Sequence, residues 1–188
     1  MLEKLVNWDT FLFFLINRDL QNKAFNFLMP IVTDQRNWIP VFLFIIIALL
    51  WKGGHKGRMV ILLMIPVILL SDQLSSSLFK PLVDRLRPCE AYGDLGMVNM
   101  LIGMKTSPSF PSSHAANSAA AATLLGHYYP RFQWLAIIIA ATVSFSRVYV
   151  GVHYPFDVIA GAFLGCLCAF SIYFSYELIE QKSKSANR

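Results

Sequence analysis

Long apolar stretches separated by short polar segments dominate the chain. Five stretches contain almost no charged side chains, and they cover residues 38–51, 59–79, 112–129, 132–145 and 156–176. A helix that crosses the hydrocarbon core of a bilayer needs roughly 20 mostly apolar residues, and four of the stretches reach that length with their flanks. The stretch 38–51 is shorter, but it has Trp at both ends, as membrane interfaces favour. The pattern predicts five transmembrane helices.

The N-terminal segment 1–34 has a weaker pattern. Residues 5–16 are amphipathic, with Asp9 among the apolar positions, and residues 24–32 are apolar but short for a span. We interpret this segment as an interfacial helix followed by a tilted first span. With the five stretches that follow, the chain would then have about six transmembrane helices.

The composition agrees with a membrane protein and excludes other classes. Of the 188 residues, 56% are hydrophobic and 14% are charged, whereas an ordinary soluble domain has about 25% charged residues. A disordered chain would need low hydrophobicity and high charge. Three cysteines are too few for a small disulfide scaffold. The sequence predicts an all-α fold, a polytopic membrane helical bundle that forms a single domain over residues 1–188.

The distribution of basic residues predicts the orientation of this bundle. The formal net charge is +5, and cations concentrate in the loop 52–58, at Arg131 and in the tail 177–188. The positive-inside rule places all three in the cytoplasm, and two spans separate each from the next. The loop 80–111 and the segment 147–155 then share the outer face. We expect a multi-pass protein of the cell membrane with both termini in the cytoplasm.

Three cations of the predicted outer face are suited to bind phosphate. Lys80, Arg87 and Arg147 offer positive charge, and the two guanidinium groups match the geometry of phosphate oxygens. Ser112 and Ser113 stand at the start of a predicted helix, where free backbone N–H groups and the helix dipole favour an anion. Any one of these cations alone could be an interfacial anchor, but their collection at one face indicates an anion site.

Two histidines and an aspartate add groups that can do chemistry. Asp157 follows His153 by four residues, and Pro155 between them favours the first turn of a helix. Asp157 can then hold one ring nitrogen of His153, which leaves the other nitrogen unprotonated and nucleophilic. His114 titrates near neutral pH and suits acid–base work. A zinc site is the alternative, but the neighbouring cations favour an anion. For Arg85 we expect a side chain that faces water.

Three motifs in this order resemble those of the type 2 phosphatidic acid phosphatase (PAP2) superfamily of integral-membrane lipid phosphatases. They are Lys80 with Arg87-Pro88, then Pro111-Ser112-Ser113-His114, then Ser146-Arg147 with His153 and Asp157. The resemblance covers about residues 38–176. Ser113 departs from the pattern, because the family has Gly at this position. We expect the site to use only the backbone N–H of Ser113, which Ser supplies as well as Gly.

The resemblance implies hydrolysis through a phosphohistidine intermediate. His153 would attack phosphorus, Asp157 would orient His153, and His114 would protonate the leaving oxygen and then activate water. The phosphate would be bound by Lys80, Arg87, Ser112, Ser113 and Arg147. The resemblance implies a membrane lipid as the substrate and no metal or other cofactor, and we expect no nucleic acid partner.

The sequence does not identify which lipid is the substrate. Members of the family act on undecaprenyl diphosphate, phosphatidylglycerophosphate, phosphatidic acid or lipid A. A protein that binds or transports a lipid phosphate without hydrolysing it is the alternative, since a fold does not fix a function. Such a protein would need the cations but not the pair of His153 and Asp157. Vanadate-dependent haloperoxidases share the site, but they are large soluble proteins, which the apolar stretches disfavour.

Overall fold

The chain is all-helical, as the sequence predicts. The structure is a computed structural model that describes residues 2–186, so the tail residues Asn187 and Arg188 lie outside the described part. Within residues 2–186 the backbone forms helices and no strands.

Nine α-helices follow one another in the described part of the chain. They are α1 (Leu2–Phe14), α2 (Lys23–Thr33), α3 (Gln35–Lys52), α4 (Gly54–Gln73), α5 (Lys80–Val83), α6 (Pro88–Tyr92), α7 (Ser113–Tyr128), α8 (Gln133–Tyr149) and α9 (Pro155–Ala186). A π-helical segment follows α1 at Leu15–Asp19, and a second one, Leu74–Phe79, joins α4 to α5. A 3-10 turn at Pro130–Phe132 precedes α8.

Four helical stretches are long and apolar enough to cross a membrane. They are Gln35–Lys52, Gly54–Tyr92, Pro130–Tyr149 and Pro155–Ala186. Helix α7 has 16 residues and packs between α4, α8 and α9, with most of its alanines buried. Large apolar side chains on the outside of the bundle are exposed, among them Phe44 and Trp134, each at 73%. An apolar exterior of this extent fits a lipid environment, so the chain is a polytopic helical membrane protein.

The most extensive helix contact is between α7 and α9. Gly161 and Gly165 allow this contact, because a Cβ atom at either position would collide with a backbone carbonyl oxygen, of Ser112 and Ala116 respectively. Small residues let membrane helices approach closely in this way. The N–H of Ser112 then donates to the carbonyl oxygen of Asp157 at 2.9 Å. The starts of α7 and α9 therefore meet, and this junction carries two of the three motifs.

Helices α1 and α2 both lie at the end of the bundle where α8 ends and α9 begins. They have 13 and 11 residues, which is too short for either to cross a bilayer alone. Asp9 of α1 accepts a hydrogen bond from the N–H of Phe156 at the start of α9, at 2.8 Å. Thr33 at the end of α2 accepts a hydrogen bond from Arg147 at 2.5 Å.

The span that we predicted within residues 1–34 is therefore not confirmed. A buried polar side chain shows why this segment stays at one end of the bundle. Asn17 is fully buried and donates hydrogen bonds to the carbonyl oxygens of Asn99 at 3.1 Å and Tyr149 at 2.7 Å. A buried amide needs such partners, and the loops at this end of the bundle supply them.

Candidate active site

Four segments bring the residues of the three motifs to one end of the bundle. Lys80 begins α5 directly after the second π-helical segment, and Arg87 immediately precedes α6. Ser112 caps α7, with its Oγ accepting from the N–H of Ala115 at 3.5 Å. The third motif runs from the last turn of α8 into α9, which begins at Pro155 as the sequence predicts.

The imidazole of His153 is buried between a carboxylate and a guanidinium group. Its Nδ1 lies 3.5 Å from Oδ2 of Asp157, and its Nε2 lies 3.0 Å from a terminal nitrogen of Arg87. A guanidinium has only donors, so Nε2 accepts this hydrogen bond and the ring proton is on Nδ1. This nitrogen faces Asp157 but makes no hydrogen bond among the described residues. Burial lowers the pKa of His153 to about 3. The imidazole is neutral at physiological pH, and its Nε2 carries no proton, with the electron pair directed at Arg87.

The carboxylate of Asp157 is held by three further groups. Its Oδ1 accepts from Arg85 at 2.8 Å, and its Oδ2 accepts from the N–H of Tyr154 at 2.8 Å and from the hydroxyl of Ser109. The side chain of Asp157 is fully buried. Each oxygen has a donor, so the carboxylate has a fixed orientation beside His153.

Arg85 does not face water, which corrects our expectation from the sequence. Its guanidinium bridges two carboxylates, with 2.8 Å to Asp157 and 2.7 Å to Asp9, and it lies 3.8 Å from the ring centroid of Tyr154. Asp9 is 1% exposed. Two buried negative charges near one another are costly unless a cation lies between them, and Arg85 supplies this cation. The N-terminal helix α1 is thereby joined to the site.

The guanidinium of Arg87 is saturated with protein acceptors. Besides His153, it donates to the carbonyl oxygen of Val152 at 2.9 Å, to that of Pro108 at 3.4 Å, and to both oxygens of Ser107, at 2.6 Å (backbone) and 3.0 Å (hydroxyl). An Arg side chain has five N–H donors, and all five are used here. Contact with a phosphate therefore requires exchange of one of these bonds, most directly the one to His153.

The guanidinium of Arg147 is buried and has an N–H group without an acceptor in the described part of the chain. It is 6% exposed, and one terminal nitrogen donates to Thr33 at 2.5 Å. Its Nε is buried and has no hydrogen-bond partner among the described residues. A buried donor without a partner is costly, so an anionic ligand beside Arg147 would be favourable.

His114 and Lys80 complete the set. His114 is the second residue of α7 and is within electrostatic range of Arg147, His153, Lys80 and Arg87. Both side chains are partly exposed, unlike His153. We call Lys80, Arg87, Arg147, His114 and His153 together the anion site. The structure brings all five predicted residues to one region.

Ser113 occupies the Gly position of the motif without backbone strain. It is the first residue of α7, and among the described non-glycine residues only Asp84 has a positive φ. The Oγ of Ser113 accepts a hydrogen bond from Ser75 at 3.0 Å, so this side chain is directed to the second π-helical segment. The first amides of a helix have no partner within it, so the backbone of Ser113 can serve an anion as expected.

The zinc alternative gains no support from the geometry. Within residues 2–186, no three His, Cys, Asp or Glu side chains converge as a metal site. The Nε2 of His153 contacts the cationic Arg87, which disfavours a metal ion at this nitrogen.

Sequence reasoning missed Asp9 and Ser109 and misplaced Arg85. Asp9 and Arg85 are 76 residues apart, and Ser109 and Asp157 are 48 residues apart, so no local spacing connects them. One signal was present, because Asp9 is a charged residue within an apolar amphipathic stretch. A charged residue in a buried stretch is almost always paired with a group of opposite charge or a hydrogen-bond donor.

Comparisons with known proteins agree with the three motifs. The sequence profile of the PAP2 superfamily matches residues 60–179. The chain is 32% identical to a lipid A 4'-phosphatase of Bacteroides thetaiotaomicron, over 93% of this chain and 79% of that protein. It is 33% identical to an undecaprenyl-diphosphatase of Sulfolobus acidocaldarius, over 89% of this chain and 78% of that protein. The crystal structure of Aquifex aeolicus LpxE superposes with a TM-score of 0.71 and 26% identity, over 86% of this chain and 92% of that one.

Proposed function

The chain belongs to the PAP2 superfamily, and we propose that it is a membrane phosphatase that hydrolyses a phosphate monoester or diphosphate of a lipid. The observation that carries this proposal is the buried imidazole of His153, with Nε2 free of a proton and Nδ1 directed at Asp157. The names of the relatives support it, since they are phosphatases of lipid A and of undecaprenyl diphosphate.

In the first half of the reaction, Nε2 of His153 attacks the phosphorus in line with the leaving oxygen. The N–P bond forms as the bond from phosphorus to the lipid oxygen breaks, and His114 donates a proton to that oxygen. The imidazole gains positive charge in this step. Asp157 stabilises this charge through Nδ1–H, and its own position is fixed by Arg85, Ser109 and Tyr154.

In the second half, water attacks the phosphorus of the phosphohistidine. His114, now neutral, takes the proton from this water, and the N–P bond breaks to release inorganic phosphate and restore His153. Two lower barriers replace one high barrier, which is the usual gain from covalent catalysis.

Three cations hold the phosphoryl oxygens during both halves. Arg147 offers its unpaired Nε, and Lys80 adds a charge at the start of α5. Arg87 exchanges its bond to His153 for a bond to the phosphate, which frees Nε2 at the moment of attack. Phosphoryl transfer depends mainly on positioning and charge stabilisation, so we propose that these fixed cations do the work without a metal ion.

We propose that five helices, α3, α4, α7, α8 and α9, cross the membrane, with the anion site at the outer face. Three cationic segments lie at the end of the bundle opposite the site: residues 52–58 between α3 and α4, Arg131 between α7 and α8, and the tail at the end of α9. The positive-inside rule places this end in the cytoplasm. Since α1 and α2 contact the site end, the N-terminus is then outside. This differs from the cytoplasmic N-terminus that the sequence led us to expect.

The proposal is tested by phosphate release from purified lipid phosphates in EDTA, for the wild type and His153→Ala. We expect the wild type to release phosphate in EDTA and His153→Ala to lose activity by a factor of at least about 10³ while lipid binding persists. The matched control is His127→Ala, because His127 pairs with Glu177 at the other end of α7. Undiminished turnover by His153→Ala would defeat the nucleophile assignment. A wild type that binds these lipids but hydrolyses none would favour the binding or transport alternative.

A further inference from the structure

Asp72 is the only charged residue between positions 59 and 79, within a helix that crosses the membrane. It is exposed, and none of the ion pairs among the described residues involves it. Its Oδ1 accepts a hydrogen bond from the side-chain amide of Asn117 at 3.3 Å. A carboxylate at membrane depth is costly, and such residues in membrane helices commonly mark substrate or ion sites.

Asn117 links this carboxylate to the part of α7 that is one turn from His114. It follows His114 by three residues on α7, so the two side chains share a helix face and differ in depth by one turn, about 4.5 Å. The backbone at Asp72 is linked to the start of α7 through the hydroxyl of Ser75. The Oγ of Ser75 contacts the carbonyl oxygen of Asp72 at 3.1 Å and the Oγ of Ser113 at 3.0 Å.

The backbone is irregular at this point. The π-helical segment Leu74–Phe79 begins two residues after Asp72 and ends directly before Lys80. Single π-helical turns inside α-helices are frequent at functional sites, because the wider turn changes which side chains share a face. Here it lies between the carboxylate and the first cation of the anion site.

The unfilled groups of this pair are hydrogen-bond acceptors. The Oδ1 of Asn117 is buried and has no partner among the described residues. An ionised carboxylate accepts only, so the amide nitrogen of Asn117 must face Asp72, and this fixes which way the amide is turned. A ligand that completes the site has to bring donors, in the form of a hydroxyl, an amide N–H or an ammonium group.

We infer that Asp72 and Asn117 form a subsite for hydrogen-bond donors on the alcohol that carries the scissile phosphate, which favours phosphorylated sugar or glycerol headgroups over polyprenyl phosphates. The inference rests on the proposed function. When the phosphorus is bound in the anion site, the pair Asp72 and Asn117 lies about one helical turn away. The part of the substrate that reaches this pair is the first few atoms of the leaving group. In a sugar or glycerol headgroup these include hydroxyl or amide donors. In a polyprenyl phosphate they are hydrocarbon, which would desolvate Asp72 without compensation.

The test compares substrates that differ in these donors. Phosphatidylglycerophosphate has a free hydroxyl on the glycerol that bears its terminal phosphate, phosphatidic acid has no donor there, and farnesyl monophosphate has hydrocarbon. We expect Asp72→Asn and Asn117→Leu to lower kcat/KM for phosphatidylglycerophosphate by about tenfold or more, mainly through KM, since a hydrogen bond to a charged group is lost. Activity on the other two substrates should stay within about twofold.

Asp94→Asn is the matched control, because Asp94 is an exposed carboxylate in the outer loop. A uniform loss on all three substrates would show that Asp72 acts through the charge of Lys80, and would overturn the inference while the proposed function stands. Unchanged kcat/KM on all three substrates would also overturn it. A wild type that cleaved farnesyl monophosphate but not phosphatidylglycerophosphate would overturn the inference as well. If the wild type released phosphate from none of the three, nor from lipid A or undecaprenyl diphosphate, the proposed function itself would fail.

Discussion

Replacement of Arg85 by Met tests whether the N-terminal helix is part of the active site. The change removes the cation between Asp9 and Asp157, which are 1% and 0% exposed and lie 2.7 and 2.8 Å from the guanidinium. Removal of one partner from a buried ion pair costs about 3–5 kcal/mol. Arg85 itself is 23% exposed, so solvent screens part of its interaction with the two carboxylates. We therefore expect a loss at the lower end of this range, about 3 kcal/mol.

The expected changes are a lower melting temperature and slower turnover. For a chain of this size, about 3 kcal/mol corresponds to a fall in Tm of roughly 6–12 °C. Asp157 also loses the donor on Oδ1, and misplacement of a catalytic group by about 1 Å can slow a reaction roughly 10²-fold. The assay is thermal unfolding in detergent, together with kcat for phosphate release from a lipid phosphate.

A second variant separates the positioning role from a purely structural one. Asp9→Asn in the Arg85→Met background removes one of the two unpaired carboxylates, so it should restore part of the Tm but none of the kcat. The control is Arg18→Met, whose pair with Asp19 is 54% and 47% exposed. Because solvent screens such a pair, this variant should keep a Tm close to that of the wild type. The reasoning is refuted if Arg85→Met keeps both the Tm and the kcat of the wild type.

Four further substitutions test the packing of the bundle, the role of Arg147 and the titration of His153. Gly165→Val should destabilise the bundle by roughly 1–3 kcal/mol or more, because the added Cβ meets the carbonyl oxygen of Ala116. Gly126→Ala should be tolerated, since its Cβ meets only the flexible side chain of Gln133. Arg147→Lys should lower kcat/KM by at least about tenfold, because the Nε donor disappears. The pKa of His153 is about 3 when folded and about 6.5 when unfolded, so its contribution to stability is complete above pH 6.5 and lost as pH falls toward 3. In His153→Gln this titration is absent, so the free energy of unfolding should fall less steeply between pH 7 and pH 4, by up to about 1.4 kcal/mol per pH unit. Thermal unfolding of both proteins over this pH range measures the difference.

Much of the site could be predicted from the sequence, because its residues lie at element ends with fixed spacing. Pro155 starts α9, which places Asp157 in the first turn and His153 just before it. The apolar stretches likewise predicted α3, α4, α8 and α9, since period and length are local properties.

The support around the site could not be predicted, because it depends on contacts between distant segments. Asp9 and Arg85 meet across 76 residues. We expected Arg87 to bind phosphate, and the hydrogen bonds that it donates to Ser107 and Pro108 of the outer loop were not predictable from its motif. We interpreted the segment 1–34 as an interfacial helix followed by a tilted first span. The hydrogen bonds of Asn17 to Asn99 and Tyr149, which hold this segment at the site end, join residues too distant in sequence to be predicted.

The central claim is that His153 becomes covalently phosphorylated during turnover. The most direct measurement is to mix His114→Ala with a lipid phosphate labelled with ³²P at the scissile group, quench the reaction, and map the labelled peptide. The account predicts an acid-labile, base-stable label on the peptide that contains His153, and no label when His153 is also replaced by Ala. Label on any other residue, or undiminished turnover by the His153→Ala variant, would contradict it.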